Sequence, residues 1–144
     1  MNLFVDTSAL VKYYYPEVDS EEVERVILEA ERLYLCELSL VEFASALMKK
    51  MRMNELQDHE QQLIWEAFLS DIQAENIELV DLSQDDFRTA SNLILQHGKD
   101  RNLRTLDSLQ LAAALKLING RFLSSDKELL SVAKDIGLSP VSLN

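Results

Sequence analysis

Short apolar runs alternate with longer amphipathic stretches along this chain. The apolar runs predict five strands, at residues 3–5, 33–36, 77–82, 121–124 and 140–143. Between them, apolar side chains recur at helical spacing, which predicts helices over residues 23–30, 40–51, 63–72, 87–97, 105–118 and 127–136. Gly98 and Gly137 follow two of these helices, in positions where a glycine often ends a helix. Strands that alternate with helices indicate an α/β fold with a mostly parallel sheet covered on both faces.

The length and composition indicate one soluble domain over residues 1–144. A second domain in 144 residues would leave two undersized cores, and 47% apolar with 27% charged residues is a globular balance. No apolar run approaches a membrane span, and the N-terminus lacks the regions of a signal peptide. The single cysteine, Cys36, has no partner for an internal disulfide. We therefore expect a cytoplasmic protein without membrane association.

The charge is segregated along the chain. The net charge is −11, which by itself disfavours binding to nucleic acid. Residues 17–31 and 55–86 hold 17 of the 25 acids, whereas residues 43–54 hold three cations and no acid. The stretch "GKDRNLR" adds three more cations. This segregation permits a local basic rim on an acidic protein.

Four acids stand at boundaries between elements. Asp6 follows the first strand, and Glu42 opens a helix in "LSLVEFASAL". Asp107 opens the apolar helix in "RTLDSLQLAAAL", and Asp126 follows the fourth strand in "RFLSSDKELL". Ligands of parallel sheets bind where the strands end at their carboxyl edge. If these junctions meet at that edge, the four carboxylates form one acidic pocket.

Each acid also has a purely structural explanation. Ser39 with Glu42, and Ser125 with Glu128, fit the spacing of a capping box. Asp107 fits the first turn of a helix capped by Thr105. Asp6 fits the cap of a short helix beginning at Thr7 or Ser8, and Asp126 fits a first helical turn. Helix capping and a shared pocket therefore both remain open for these acids.

A shared pocket would need a cation. Converging carboxylates raise one another's pKa unless positive charge is present. Oxygen ligands favour Mg²⁺ or Mn²⁺ over zinc, and His59 and His97 make no metal-binding spacing with each other or with Cys36. We therefore expect a hard divalent cation if the acids converge.

These segments resemble the motifs of PIN-domain ribonucleases, specifically VapC-type toxins of prokaryotic toxin–antitoxin modules. "FVDTSALVKYY" is similar to the opening strand and first acid of that family, and the quoted Glu42, Asp107 and Asp126 segments are similar to its later motifs. The family commonly has Thr-x-Asp at the fourth motif, where this chain has Ser124-Ser125-Asp126. Ser124 keeps the hydroxyl of that threonine, so the hydrogen bonding that the resemblance implies at the fourth motif is retained.

The resemblance implies a three-layer α/β/α sandwich around a mostly parallel sheet of about five strands, and a Mg²⁺- or Mn²⁺-dependent endoribonuclease. Asp6 and Asp107 would be the principal metal ligands, and Glu42 and Asp126 would complete the set of catalytic carboxylates, partly through water. A metal-activated water would hydrolyse the RNA phosphodiester and leave a 5′-phosphate and a 3′-hydroxyl. Ser8 and Ser124 are candidates to orient these ligands through their hydroxyls.

The resemblance also implies partners, namely an RNA substrate, a cognate antitoxin protein and a second copy in a homodimer. The acidic segments 17–31 and 55–86 are candidates to dock a basic antitoxin. Candidate phosphate contacts are Lys12, Lys49, Arg52, Lys99, Arg101 and Arg104.

Other protein classes fit the residues less well. A haloacid-dehalogenase-type phosphohydrolase needs a second Asp where Ser8 stands. A receiver domain needs an acidic pair early in the chain and a lysine on a late strand, whereas Lys127 directly follows Asp126. A PIN-like binding module without catalysis remains the main alternative, because fold alone does not decide function.

Overall fold

The computed structural model describes residues 1–141 and 143, in which strands and helices alternate. The strands are β1 Asn2–Val5, β2 Arg32–Cys36, β3 Ile77–Val80, β4 Gly120–Leu123 and β5 Ser139–Val141. The helices are α1 Thr7–Tyr14, α2 Ser20–Glu29, α3 Leu38–Arg52, α4 Asp58–Gln73, α5 Gln84–His97, α6 Thr105–Ala114 and α7 Lys127–Asp135. In the described part of the chain, no helix is both long and apolar enough to cross a bilayer.

The five strands form one sheet in the order β3-β2-β1-β4-β5, and every pairing is parallel. The chain builds outwards from β1 in one direction, then returns and builds outwards from β4 in the other. The switch point therefore lies between β1 and β4, where Val5 pairs with Leu123 at the last register position. In open α/β sheets, ligands bind outside the carboxyl ends of the strands at such a point.

Helices cover both faces of the sheet. Leu3 and Val5 pack with α1 to α4 in one buried cluster, whereas Phe4 packs with α5 to α7 in the other. This alternation follows from the two-residue period of a strand buried on both faces. The rings of Phe4 and Phe122 stack at 5.8 Å between centroids, one register position before the switch point. The three-layer α/β/α sandwich is thereby confirmed.

The boundaries differ from the sequence predictions in a few places. The strand expected over 77–82 ends at Val80, and the helix expected over 105–118 ends at Ala114. The strand expected over 140–143 spans Ser139–Val141, and residue 142 lies outside the described residues. Apolar residues continue beyond Val80 and beyond Ala114, so apolar composition could not show where the backbone hydrogen bonding of the strand and of the helix ends.

The two glycines end their helices in different ways. Gly137 has a φ of 94°, the left-handed conformation expected after a helix. Gly98 ends α5 as its C-cap with a right-handed φ of −76°, one position before the C′ position at which a left-handed glycine commonly ends a helix. A Cβ at Gly98 would lie 2.6 Å from the carbonyl oxygen of Ile94, so close backbone approach explains the glycine there.

Candidate active site at the carboxyl edge of the sheet

Asp6 lies at the switch point and is 4% exposed. It is the N-cap of α1, since its Oδ1 accepts a hydrogen bond from the backbone N–H of Ala9 at 3.1 Å. Oδ1 also accepts from Ser8 Oγ at 2.7 Å, and Oδ2 accepts from Ser124 Oγ at 2.7 Å. Capping and the pocket are therefore not exclusive alternatives for Asp6, because one carboxylate takes part in both.

Two serine hydroxyls connect Asp6 to the segment after β4. Ser8 Oγ accepts from the N–H of Ser125 at 3.2 Å, and Ser124 Oγ accepts from the N–H of Asp126 at 3.0 Å. Each hydroxyl therefore accepts a hydrogen bond from a backbone N–H and donates a hydrogen bond to Asp6. This arrangement fixes the orientation of the carboxylate and ties the end of β1 to the end of β4.

The carboxylate of Asp6 is buried, and none of the described residues places a positive charge beside it. No cation forms an ion pair with Asp6 among residues 1–141 and 143. Burial raises the pKa of Asp6 to about 6, hydrogen bonds from Ser124, Ser8 and Ala9 oppose the rise, and the charge of Asp107 adds to it. Removing a carboxylate from water without a counter-charge is costly, so the site favours a bound cation.

Glu42 lies on α3 within a network that joins three helices. Its Oε1 accepts hydrogen bonds from Thr7 Oγ1 on α1 and from Gln110 Nε2 on α6, both at 2.7 Å. Ser39 Oγ lies 2.9 Å from Thr7 Oγ1 and 3.0 Å from Gln110 Nε2. Glu42 thus accepts hydrogen bonds from side chains of two other helices. Its predicted capping box with Ser39 is wrong, because the N-cap of α3 is Glu37.

Sequence reasoning missed the site positions of Thr7 and Gln110 and assigned Ser39 to a cap. Gln110 is 2% exposed, and its Oε1 is a buried atom without a hydrogen-bond partner in the described part of the chain. An unpaired buried acceptor costs about 1–3 kcal/mol. The available signal was that Gln110 is the lone amide in the apolar stretch "LQLAAAL".

Asp107 lies in the first turn of α6, near Asp6. Its Oδ2 is 3.5 Å from Arg104 Nε, and the side chain of Arg104 is 72% exposed. Arg104 is the N-cap of α6 and its side chain makes no capping hydrogen bond, whereas Thr105 is the first residue of the helix, so the predicted cap by Thr105 is wrong. The Arg104 ion pair is exposed and therefore weak, which leaves Asp107 free to take another cation.

Asp126 is the N-cap of α7. Its Oδ1 accepts from the N–H groups of Glu128 and Leu129 at 3.0 and 3.3 Å. The cap predicted at Ser125 is therefore wrong by one residue. Asp126 joins the site through its own N–H, which donates to Ser124.

The donors fit a hard divalent cation held by few protein ligands. Among residues 1–141 and 143, no three His, Cys, Asp or Glu side chains are gathered closely enough to hold an ion together. Mg²⁺ commonly keeps several waters and binds through one or two carboxylates with substrate phosphates. Asp6, which is buried and has no counter-charge in the part of the chain that the structure describes, and the nearby Asp107 meet that requirement.

Three of the six candidate phosphate contacts form ion pairs with acids of the protein, and the other three form none among the described residues. Lys12 pairs with Asp19 at 3.6 Å, and Arg101 pairs with Asp135, so acids of the protein already neutralise both. Arg104 pairs with Asp107 at the site itself. The other three form no ion pair in the part of the chain that the structure describes: Lys49, Arg52 and Lys99.

The PIN-domain family model matches residues 3–135, which include all of β1 but its first residue, β4 and all four candidate acids. The chain belongs to the PIN-domain family. It is 31% identical to Ribonuclease VapC3 of Pyrobaculum aerophilum over 133 residues, 90% of this chain and 92% of that protein. The VapC resemblance of the sequence motifs is thereby confirmed.

Solved structures of other proteins are similar to this chain in fold, and two of them illustrate the similarity. A protein of Pyrobaculum aerophilum superposes with a TM-score of 0.70 at 19% identity, covering 98% of this chain and 84% of that one. VapBC2 of Rickettsia felis, solved bound to a DNA fragment from its promoter, gives a TM-score of 0.68 at 16% identity and covers both chains fully. At such identities these likenesses concern the fold.

Proposed function

We propose that this PIN-domain chain is a divalent-metal-dependent endoribonuclease and the toxin of a toxin–antitoxin pair. The supporting observation is the Asp6 carboxylate, which is buried at the switch point with hydrogen bonds but pairs with no cation of residues 1–141 and 143. The VapC3 relative, a ribonuclease by name, supports RNA as the substrate. The VapBC2 neighbour supports an antitoxin partner.

The chain's own residues divide the work at the site. Asp6 and Asp107 would hold Mg²⁺ or Mn²⁺, with Glu42 and Asp126 completing the set partly through water. Ser8 and Ser124 keep both oxygens of Asp6 oriented. A bound divalent ion would lower the pKa of water and stabilise negative charge on the scissile phosphate. Glu42, which has a second oxygen outside its hydrogen-bond network, would help to accept the proton of that water.

RNA would enter over a rim of cations. Arg104 is the best placed of the six candidates, because it is exposed beside Asp107. Lys49 and Arg52 at the end of α3, and Lys99 before α6, would add phosphate contacts. Lys12 and Arg101 would have to exchange their acidic partners for phosphate, so we expect a smaller contribution to RNA binding from these two side chains.

The antitoxin would dock on the acidic surface predicted from the charge pattern. A cavity of about 800 Å³ brings residues of both acidic segments together, among them Glu31, Asp71, Glu75 and Glu78. None of the four candidate catalytic acids lines this cavity. A basic, partly apolar segment of the antitoxin would complement this cavity. We also propose that the chain forms a homodimer and acts in the cytoplasm.

The test is RNA cleavage by the purified chain, free of any partner. A pool of tRNA and structured RNA is incubated with Mg²⁺, Mn²⁺ or EDTA, using wild type, Asp6→Asn and Asp58→Asn. Asp58 is an exposed acid at the start of α4, so its variant controls for the loss of one charge. We expect RNA fragments from wild type and from Asp58→Asn when Mg²⁺ or Mn²⁺ is present. We expect none with EDTA and none from Asp6→Asn.

The same assay decides against the proposal under clear conditions. Fragments that persist in Asp6→Asn place the activity elsewhere. A folded wild type that neither cleaves RNA nor binds Mn²⁺ favours the non-catalytic PIN-like binding module.

A further inference from the structure

We propose that Gln110 is a positioning residue that holds Glu42 in place for RNA hydrolysis, a role that rests on the proposed nuclease function. Gln110 lies on α6, 2% exposed, and its Nε2 is 2.7 Å from Glu42 Oε1. The same nitrogen lies 3.0 Å from Ser39 Oγ and 3.2 Å from Thr7 Oγ1. One amide therefore joins α6 to the first turns of α1 and α3.

One arrangement of hydrogen bonds, built on the shortest distances in this network, uses every polar hydrogen of its neutral side chains. The ionised carboxylate of Glu42 has none to give, so Thr7 donates its O–H to Glu42 Oε1. Ser39 then donates its O–H to Thr7 Oγ1, and Gln110 donates one N–H to Ser39 Oγ and the other to Glu42 Oε1. All four hydrogens of the three neutral side chains are used, and both branches end on the same oxygen of Glu42.

The contact with Glu42 supports this orientation of the amide. Reversing the amide would place its oxygen against Glu42 Oε1, and two acceptors would then face each other. The observed orientation avoids that contact and leaves Gln110 Oε1 buried without a partner. A methionine would fill the same space on α6 without that cost, so the value of the amide lies in its two donors.

The network restrains one half of the Glu42 carboxylate. Oε1 is held by two donors from two different helices, whereas Oε2 accepts no hydrogen bond from the described residues. A restrained carboxylate with one available oxygen suits the role proposed for Glu42. Partners that orient the groups at a metal site commonly change metal affinity or activity by roughly 10- to 100-fold when they are removed.

The test is the substitution Gln110→Met, alone and combined with Glu42→Ala. Methionine keeps the length of the side chain and removes both donors together with the unpaired oxygen. In the wild-type background we expect kcat for RNA cleavage to fall by roughly 10- to 100-fold with little change in KM, and Mn²⁺ affinity to fall in parallel. In the Glu42→Ala background we expect Gln110→Met to change Mn²⁺ affinity no further.

Ser108→Ala is the matched control. Ser108 is also buried on α6, but its hydroxyl donates to the carbonyl of Thr105 on its own helix. We expect this variant to keep kcat and Mn²⁺ affinity near wild type. An unchanged kcat in Gln110→Met overturns the positioning role. So does an equal loss of Mn²⁺ affinity when Gln110→Met is made in the wild-type and in the Glu42→Ala background.

A metal-free measurement separates this inference from the proposed function. Urea unfolding of the four proteins of the double-mutant cycle reports whether Gln110 and Glu42 are coupled in the absence of any ion. If wild type neither binds Mn²⁺ nor cleaves RNA, the proposed function fails, and the positioning role fails with it even if unfolding shows coupling. If wild type is active but the two unfolding effects are additive, the role of Gln110 fails alone.

Discussion

Ser124 Oγ donates a hydrogen bond to Asp6 Oδ2 at 2.7 Å, across 118 positions of the chain. The contact joins the residues that follow β4 and β1, the two strands that meet at the switch point. It therefore sets the orientation of the carboxylate on which the account of this site depends.

We expect Asp6→Asn to stabilise the metal-free protein. At pH 7.5 in EDTA, the substitution removes a buried charge that no cation of the described residues compensates. We expect the free energy of unfolding to rise by about 1–2 kcal/mol. The rise is smaller than the full cost of the buried charge, because the asparagine amide cannot accept hydrogen bonds from all the donors that the Asp6 carboxylate accepts from. Thermal unfolding measures this difference directly.

Mn²⁺ should reverse that order. Saturating Mn²⁺ stabilises a protein that binds it in the folded state. Wild type should then unfold at a higher temperature than Asp6→Asn. An Asp6→Asn protein less stable than wild type in EDTA would contradict the view that Asp6 is an uncompensated charge.

Removing either serine hydroxyl beside Asp6 should weaken metal binding. Ser124→Ala and Ser8→Ala each delete a donor at 2.7 Å, so the carboxylate becomes less well oriented. We expect Mn²⁺ affinity to fall by roughly 10- to 100-fold in isothermal titration. Ser91→Ala is the control, because that hydroxyl donates to the carbonyl of Phe87 on its own helix. Equal affinity in all four proteins would show that the serines do not orient a metal ligand.

Exposed Arg104 should contribute to RNA binding through the phosphates. We expect Arg104→Gln to weaken binding of any RNA to a similar extent and to lower the slope of log affinity against log salt by about 1. Arg88→Gln is a close control, since both arginine side chains are 72% exposed and each pairs with an acid three residues away. The contact is absent if the two variants show the same salt dependence as wild type.

The buried Asp86 should contribute to stability through Lys116, away from the proposed site. Lys116 Nζ lies 2.7 Å from Asp86 Oδ2, and Ser83 also donates to that oxygen. Burial raises the pKa of Asp86, but the hydrogen bonds from Lys116 and Ser83 outweigh it and hold the pKa below its usual value. We expect Lys116→Met to cost about 1–3 kcal/mol in urea unfolding at pH 7, because the buried carboxylate loses a charged donor.

The pH dependence of that cost follows from the lowered pKa. A carboxylate with a lowered folded-state pKa adds stability above its unfolded pKa, near 3.8, and loses it as the pH falls through the folded value. The difference between wild type and Lys116→Met should therefore be constant from pH 5 to 7 and shrink below about pH 4. A cost that grows on acidification would contradict this assignment.

The sequence was sufficient for the parts of the fold that depend on burial. Apolar runs marked β1 and β4, and an acid directly after an apolar run marked Asp6 as a residue at the strand end. It was insufficient where several local hydrogen-bond patterns compete. Ser39 had the spacing of a cap but bonds to other helices, because the real N-cap is Glu37.

Long-range partners were the part that no local pattern could supply. Thr7 and Gln110 lie 103 positions apart and meet because α1 and α6 both begin at the carboxyl edge of the sheet. The apolar sequence around Gln110 predicted only a buried helix. Its one amide was an unused sign of a buried polar partner, and it did not indicate that the partner is Glu42.

The most direct test of the account is the chemical nature of the RNA ends produced with Mn²⁺. Hydrolysis by water at this site predicts 5′-phosphate and 3′-hydroxyl ends, formed by wild type and Asp58→Asn and absent with EDTA or Asp6→Asn. Ends bearing 2′,3′-cyclic phosphate would show attack by the ribose hydroxyl instead of water. That result, or correct ends from Asp6→Asn, would contradict the central role of Asp6.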